Sequence, residues 1–132
     1  MNRKGEVAMD KMMKIEIIAR PEKLEDLKEA LNAIGVQGMT VSQVFGSGSQ
    51  KGHKEIYRGK EYNVNLVPMI KLETVVCAVP VDIVMETARK TLKTGKIGDG
   101  KIFVYDVMDC MRIRTGTRGV NAVIDDELID QN

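Results

Sequence analysis

The chain has 132 residues, 43% apolar and 30% charged, with 20 lysines and arginines against 19 aspartates and glutamates and a formal net charge of +1. That is the size and balance of one soluble globular domain, able to bury roughly two-thirds of its unfolded surface without a disulfide or metal staple. The near-neutral charge argues against nucleic acid or a membrane surface as partner, and no apolar run reaches the ~18 residues of a membrane span. Cys77 and Cys110 sit in apolar settings, "VVCAV" and "MDCMR". With no metal or redox spacing they read as reduced, buried thiols of a cytoplasmic protein.

In chain order, residues 1–13 are a polar extension without the apolar centre of a secretion signal, and Met9, Met12 and Met13 offer alternative starts. "KIEIIA" (Lys14–Ala19) is a strand rich in β-branched residues. In "PEKLEDLKEALNAIG", Leu24, Leu27, Leu31 and Ile34 recur at helical spacing, with Pro21 suited to the first turn and Gly35 to the position past the end. "MTVSQVF" (Met39–Phe45) is a second strand and "MIKLETVVCAV" (Met69–Val79) a third, alternating and then continuously apolar as a central strand is. "VDIVMETARKTLKTG" sets Val81, Met85, Ala88 and Leu92 on one helical face, with Lys90, Lys93 and Gly95 as stop signals. "KIFVYDV" (Lys101–Val107) is a fourth strand and "MRIRTG" (Met111–Gly116) a short extended piece. Residues 117–132 form an acidic tail, expected to be loosely held.

The order strand–helix–strand–strand–helix–strand predicts an α+β, ferredoxin-like βαββαβ sandwich with both helices on one face of an antiparallel sheet. Little in the strands reads as a wet face, so the free side of the sheet points to an oligomer.

Between the second and third strands lies "GSGSQKGHKEIYRGKEYNVN" (Gly46–Asn65), longer than the roughly 12–15 residues at which loops in compact domains become uncommon. It holds four glycines, four basic residues (Lys51, Lys54, Arg58, Lys60) and two of the three tyrosines, Tyr57 and Tyr62. It is too polar to bury and too long for a connection, so it reads as a protruding interaction arm.

Catalytic candidates are few. His53, the sole histidine, is a loop residue with no nucleophile or carboxylate placed beside it, and no His/Cys cluster or paired-carboxylate motif occurs. "GKIGDGKI" (Gly95–Ile102) satisfies G-x-x-x-x-G-K but has Ile102 where a P-loop requires Ser or Thr, and it leads from helix into strand, the reverse of a P-loop. Its three glycines, flanked by Lys96 and Lys101, can curl backbone N–H groups around an anion or make a plain turn. Arg112 and Arg114 fall on one side of an extended segment, suited to phosphate or to solvent. Aromatics are only 4%, too few for the stacking strands of an RNA-recognition domain.

Two segments together resemble the PII nitrogen-regulatory signal proteins: "YRGKEY" (Tyr57–Tyr62) is similar to that family's loop signature and "TGKIGDGKIFV" (Thr94–Val104) to its second. "RPEKLEDLKEAL", "GVQGMTV", "QKGH" and "RIRTG" fit in order and spacing, so the resemblance covers about residues 14–116. It implies a cytoplasmic, non-enzymatic homotrimer with ATP or ADP in clefts between subunits. Gly98, Asp99, Gly100 and Lys101 would hold phosphates; Gly46, Gly48, Gln50, Glu73 and Val75 would line the same cleft. Gly38, Met39, Thr40, Arg112 and Arg114 would come from the adjacent subunit. The arm, the family's T-loop (about 48–66), would dock on an ammonium transporter, a glutamine-synthetase-modifying enzyme, a nitrogenase component or a transcription regulator. Tyr62 matches a tyrosine uridylylated in some members, and Gln50 a ligand of Mg2+-bound 2-oxoglutarate.

Two positions depart from that pattern: Ser49 stands where many members have an arginine that reaches toward ATP, and Met69 where many have a lysine that pairs with 2-oxoglutarate. Lys60 fills the signature's variable slot, where some members carry a phosphorylated serine. A charge-assisted hydrogen bond is worth about 1.5–3 kcal/mol, roughly ten- to a hundred-fold in affinity. The resemblance with these departures therefore implies retained nucleotide binding and weakened 2-oxoglutarate sensing. The alternatives are a PII-like adenine-nucleotide sensor indifferent to 2-oxoglutarate, and a slow ATPase.

Overall fold

The structure, a computed structural model, describes residues 11–47, 54–57, 60–63 and 66–124, with side chains described outside 54–57 and 60–63. The elements are β1 (Met13–Ala19), a 3-10 turn (Pro21–Lys23), α1 (Leu24–Ala33), β2 (Thr40–Ser47), β3 (Lys54–Tyr57), β4 (Lys60–Asn63), β5 (Leu66–Val76), α2 (Val81–Leu92), β6 (Gly100–Asp106) and a short α3 (Val120–Val123). Four strands form one antiparallel sheet in the order β2–β5–β1–β6, the split arrangement of the ferredoxin-like fold.

Alternation along the central strands separates two faces. Inward, Ile15, Ile17 and Ala19 of β1 and Ile70, Leu72 and Val76 of β5 meet Leu27 and Leu31 of α1 and Val84, Ala88 and Leu92 of α2 in one buried cluster. Each fully buried aliphatic side chain there contributes about 1.5–3 kcal/mol of transfer free energy. Thr74 is the polar exception: its hydroxyl donates to the Gly38 carbonyl at 2.6 Å, tying the α1–β2 connection to β5. On the other face, the Lys14 ammonium bonds Glu73 at 2.7 Å and lies 5.3 Å from the Tyr105 ring centroid. Phe103 and Tyr105 are exposed there.

Several expectations are adjusted. The long arm contains paired structure, since β3 and β4 form an antiparallel two-stranded sheet with Tyr57 opposite Lys60. β5 runs from Leu66 and ends at Val76, three residues earlier than expected, because Cys77–Val79 bend the chain toward Pro80 and α2. Val84 replaces Val81 at the centre of the α2 stripe; Val81 and Met85 are half-buried. Residues 111–116 do not run as an extended piece. Met111 bridges Arg118, and the Gly116 N–H donates to the Arg112 carbonyl, closing a turn where Thr115 and Gly116 supply turn chemistry.

Among the described glycines, the closest backbone approach is at Gly100. Its φ is +111°, and a Cβ there would sit 1.8 Å from the Ile18 carbonyl oxygen. Gly95 shares a positive φ, +87°, but has open space around it. Gly95→Ala should therefore cost only the left-handed backbone strain, about 1–2 kcal/mol. Gly100→Ala should cost about 3 kcal/mol or more, since the clash adds to the strain. Urea denaturation of the two variants measures the gap; equal losses would contradict the close approach.

Candidate functional site

The α2–β6 turn is built around one carboxylate. Asp99 accepts the backbone N–H groups of Thr94 (2.8 Å) and Gly95 (3.0 Å), the Thr94 hydroxyl, and the Arg20 guanidinium at 3.3 Å. Arg20 also donates to the Ile97 carbonyl at 3.1 Å, and Thr94 Oγ1 accepts the Lys96 N–H. The Thr94 contacts, then the Gly95 and Arg20 bonds, hold the Asp99 carboxyl well below the usual carboxylate range. Gly95, Gly98 and Gly100 all take positive φ inside this clamp. The turn connects helix to strand, as expected, with Lys101 on the exposed edge of β6 behind it. A cleft of about 480 Å³ beside it brings together Asp99, Gly100, Lys101, Lys93 and Arg89. Glu86 lines it too, so three cations face two carboxylates there, a balance that favours an oxyanion.

A second cleft, of about 650 Å³, opens at the other end of the sheet. Gly38, Val75 and Arg112 line it, along with Cys77 and residues 122–124. Arg112 Nη2 donates to the carbonyls of Asn121 (3.3 Å), Ala122 (3.3 Å) and Ile124 (2.6 Å), so the C-terminal segment is hooked against this cleft.

The candidate residues thus fall into separate groups within one chain. Gly100 is level with Ala19 on β1, whereas Val75 is level with Lys14. That offset of five residues corresponds to roughly 17 Å along the strands. Thr40 and Glu73 face each other across the β2–β5 ladder, and Glu73 is engaged by Lys14, whose hydrogen bond lowers the Glu73 pKa and raises that of Lys14. Met39 turns its side chain to the core, Arg114 is exposed, and Gly46 pairs with Val67 at the opposite edge of the sheet from Gly100. Met69 is 9% exposed and packs beside Gly46. Gly48, Ser49, Gln50, His53 and the side chain of Tyr62 lie outside the described residues.

Sequence reasoning missed Arg20 and Thr94. Thr-Gly ahead of an aspartate is a readable turn signal, but Arg20 joins the turn only through the β1–β6 pairing, which no local pattern announces.

Because folding lowers the Asp99 pKa, its contribution to stability is intact above the unfolded value of about 3.9 and declines as pH falls below it toward the folded value. Asp99→Asn should therefore be less stable than the parent at pH 7. The difference should shrink in strongly acidic solution. Melting temperatures of both proteins across the acid range check this; a constant difference would remove the clamp from the explanation.

The family model described as "Nitrogen regulatory protein P-II" matches residues 12–117. The nitrogen regulatory protein P-II of Pasteurella multocida is 53% identical over 112 residues, 85% of this chain and all of that protein. Nitrogen regulatory protein P-II 1 of Escherichia coli K12 is 54% identical over 105 residues, 80% of this chain and 94% of its own length. Among solved structures, a B. subtilis GlnK–ATP complex is 50% identical, with a TM-score of 0.73 over 86% of this chain and 98% of that one. Arabidopsis thaliana PII bound to citrate is 40% identical, with a TM-score of 0.68 over 86% and 92%. This chain belongs to the nitrogen regulatory protein P-II family.

Proposed function

We propose that the chain works as a non-enzymatic cytoplasmic homotrimer that binds ATP or ADP between subunits and signals nitrogen or energy status through the arm at residues 48–66. The observation that carries this is the separation of the oxyanion-suited turn from Gly38 and Arg112 at opposite ends of one sheet. Two chains meeting turn-to-cleft complete what neither holds alone. The face carrying Phe103 and Tyr105 supplies apolar surface for that association, and the related B. subtilis GlnK has been solved with ATP.

In this reading the amides of Gly98–Gly100 and the Lys101 ammonium receive phosphate oxygens, and Arg112 and Arg114 of a neighbour close over them. Nucleotide identity then biases the arm, which docks on an ammonium transporter, a glutamine-synthetase-modifying enzyme or a nitrogenase-related target. The ligand must favour one arm conformation, because equal affinity for two conformations shifts nothing. Mg2+ with 2-oxoglutarate would use Gln50, and Tyr62 would be the uridylylation acceptor. A second reading, nucleotide sensing without 2-oxoglutarate, is favoured by Met69: a buried thioether at the base of the arm offers no charge to a dicarboxylate.

Sedimentation should give a trimer, and calorimetry should show ATP and ADP binding weakened about ten- to a hundred-fold in Lys101→Ala. In Mg-ATP-loaded protein, 2-oxoglutarate should bind weakly and gain about tenfold or more in Met69→Lys. A monomer, or no heat from either nucleotide, would overturn the proposal; strong 2-oxoglutarate binding by the parent would overturn the second reading alone.

The arm's role is separable. Deleting residues 48–65 should leave trimer and nucleotide binding intact while abolishing nucleotide-dependent retention of cellular partners in a pull-down. Retention of the same proteins by the shortened chain would show that the contact surface lies elsewhere.

A further inference from the structure

We infer that Met12, Cys77 and Cys110 form a binding site for a soft monovalent metal ion of the copper(I) or silver(I) type. Cys110 Sγ lies 3.9 Å from Met12 Sδ, a contact between residues 98 positions apart. Cys77 follows β5 directly, and the β1–β5 ladder ends with Met13 opposite Val76. Met12 and Cys77 thus lie one residue beyond that last paired position on their two strands. Cys77 is also near enough to Cys110 for the two thiols to interact electrostatically.

The chain's return from β6 fixes the third sulfur. The Val107 N–H donates to the Met12 carbonyl at 3.1 Å, and the Cys110 carbonyl accepts the Gly119 N–H at 3.0 Å. The Cys110 N–H is taken by Asp109 Oδ1 at 2.8 Å. Met12 is only 8% exposed beneath this segment. Both thiols are free and half-buried, and Cys77 lines the edge of the 650 Å³ cleft. Burial chiefly, and the neighbouring Cys110 in addition, push the Cys77 thiol up.

Two thiolates and a thioether are ligands that select copper(I) over harder ions. With metal–sulfur bonds of about 2.3 Å, a trigonal set places its sulfur atoms about 4 Å apart, as Cys110 and Met12 already are. Zinc would need a fourth ligand. Among the described residues, no group of three or more histidines, cysteines, aspartates or glutamates is arranged to hold a metal. On binding, each thiol loses its proton to solvent and its sulfur donates a lone pair to the cation, with no change of oxidation state. The bound ion would cross-link residues 107–119, which carry Arg112, to the ends of β1 and β5. None of this depends on nucleotide binding.

The test uses the full chain, reduced and anaerobic, with both thiols confirmed by a thiol reagent. Cuprous ion is supplied as its bicinchoninate complex. The protein should withdraw about one copper per chain and develop near-ultraviolet thiolate-to-copper absorption. Cys77→Ser and Cys110→Ser should each lose that uptake, and the volume-conserving Met12→Leu should weaken it about tenfold or more. If the reduced parent leaves all copper with the chelator, or Cys110→Ser takes it up as tightly as the parent, the site does not exist. Should circular dichroism show that a serine variant fails to fold, Met12→Leu decides: unchanged affinity overturns the inference. Parent protein lacking titratable thiols before metal is added would identify a Cys77–Cys110 disulfide instead, and that too overturns it.

Discussion

Strand β1 is bonded along its whole length on both sides, to β5 and to β6, and its inward residues Ile15, Ile17 and Ala19 have no solvent exposure. That double pairing is the constraint on which the rest of the molecule depends. A slip of one residue would drive Lys14, Glu16 and Ile18 into the core and expose the isoleucines, so the register is strongly held. Once it is held, Gly100 must arrive opposite Ala19 and beneath the Ile18 carbonyl, and Arg20 emerges within reach of Asp99 and Ile97. The position of the anion-suited turn is therefore a consequence of core packing two strands away from the second cleft.

Much of this was legible in the chain. The Leu24–Leu27–Leu31–Ile34 stripe marks α1, and all four side chains are in or against the core. The alternation of six elements was enough for the split sheet, because a βαβ unit with an antiparallel insert has few un-knotted solutions. What was hidden depends on contacts rather than on period. Val81, Ile83, Val84 and Met85 crowd the start of α2, and only packing against the sheet selects Val84 as the buried member. The β3–β4 pairing lies in a polar stretch without strand alternation, so no pattern distinguishes it from loop. The turn at 113–115 was masked by the apparent alternation of "RIR", which reads as strand until Arg112 and Thr117 close on each other.

The candidate site shows the same division. The glycine spacing of Gly95–Gly100 announces an unusual backbone, and all three glycines do take positive φ. Asp99 reads in sequence as one of the nucleotide-binding residues, and within the chain its carboxylate accepts from Thr94, Gly95 and Arg20, which fixes the shape of the turn. The two cysteines are a parallel case. They are 33 residues apart with no motif between them, and Met12, which touches Cys110, enters from the other end of the chain.

Three of the charged groups near the two clefts have partners inside the chain. Lys14 holds Glu73, Arg20 holds Asp99, and Arg112 holds the carbonyls that end α3. A buried or half-buried ion loses solvation when it is enclosed, so satisfying it locally keeps the single chain stable before any ligand arrives. The binding proposed at such a surface would be an exchange of partners, in which its net strength is the difference between two sets of hydrogen bonds. Such a difference is small compared with either set, and small differences are what allow modest changes in ligand to redistribute a protein between conformations. In that proposal Arg112 has the longest reach, because the segment it holds by the carbonyls of Asn121, Ala122 and Ile124 also walls the second cleft.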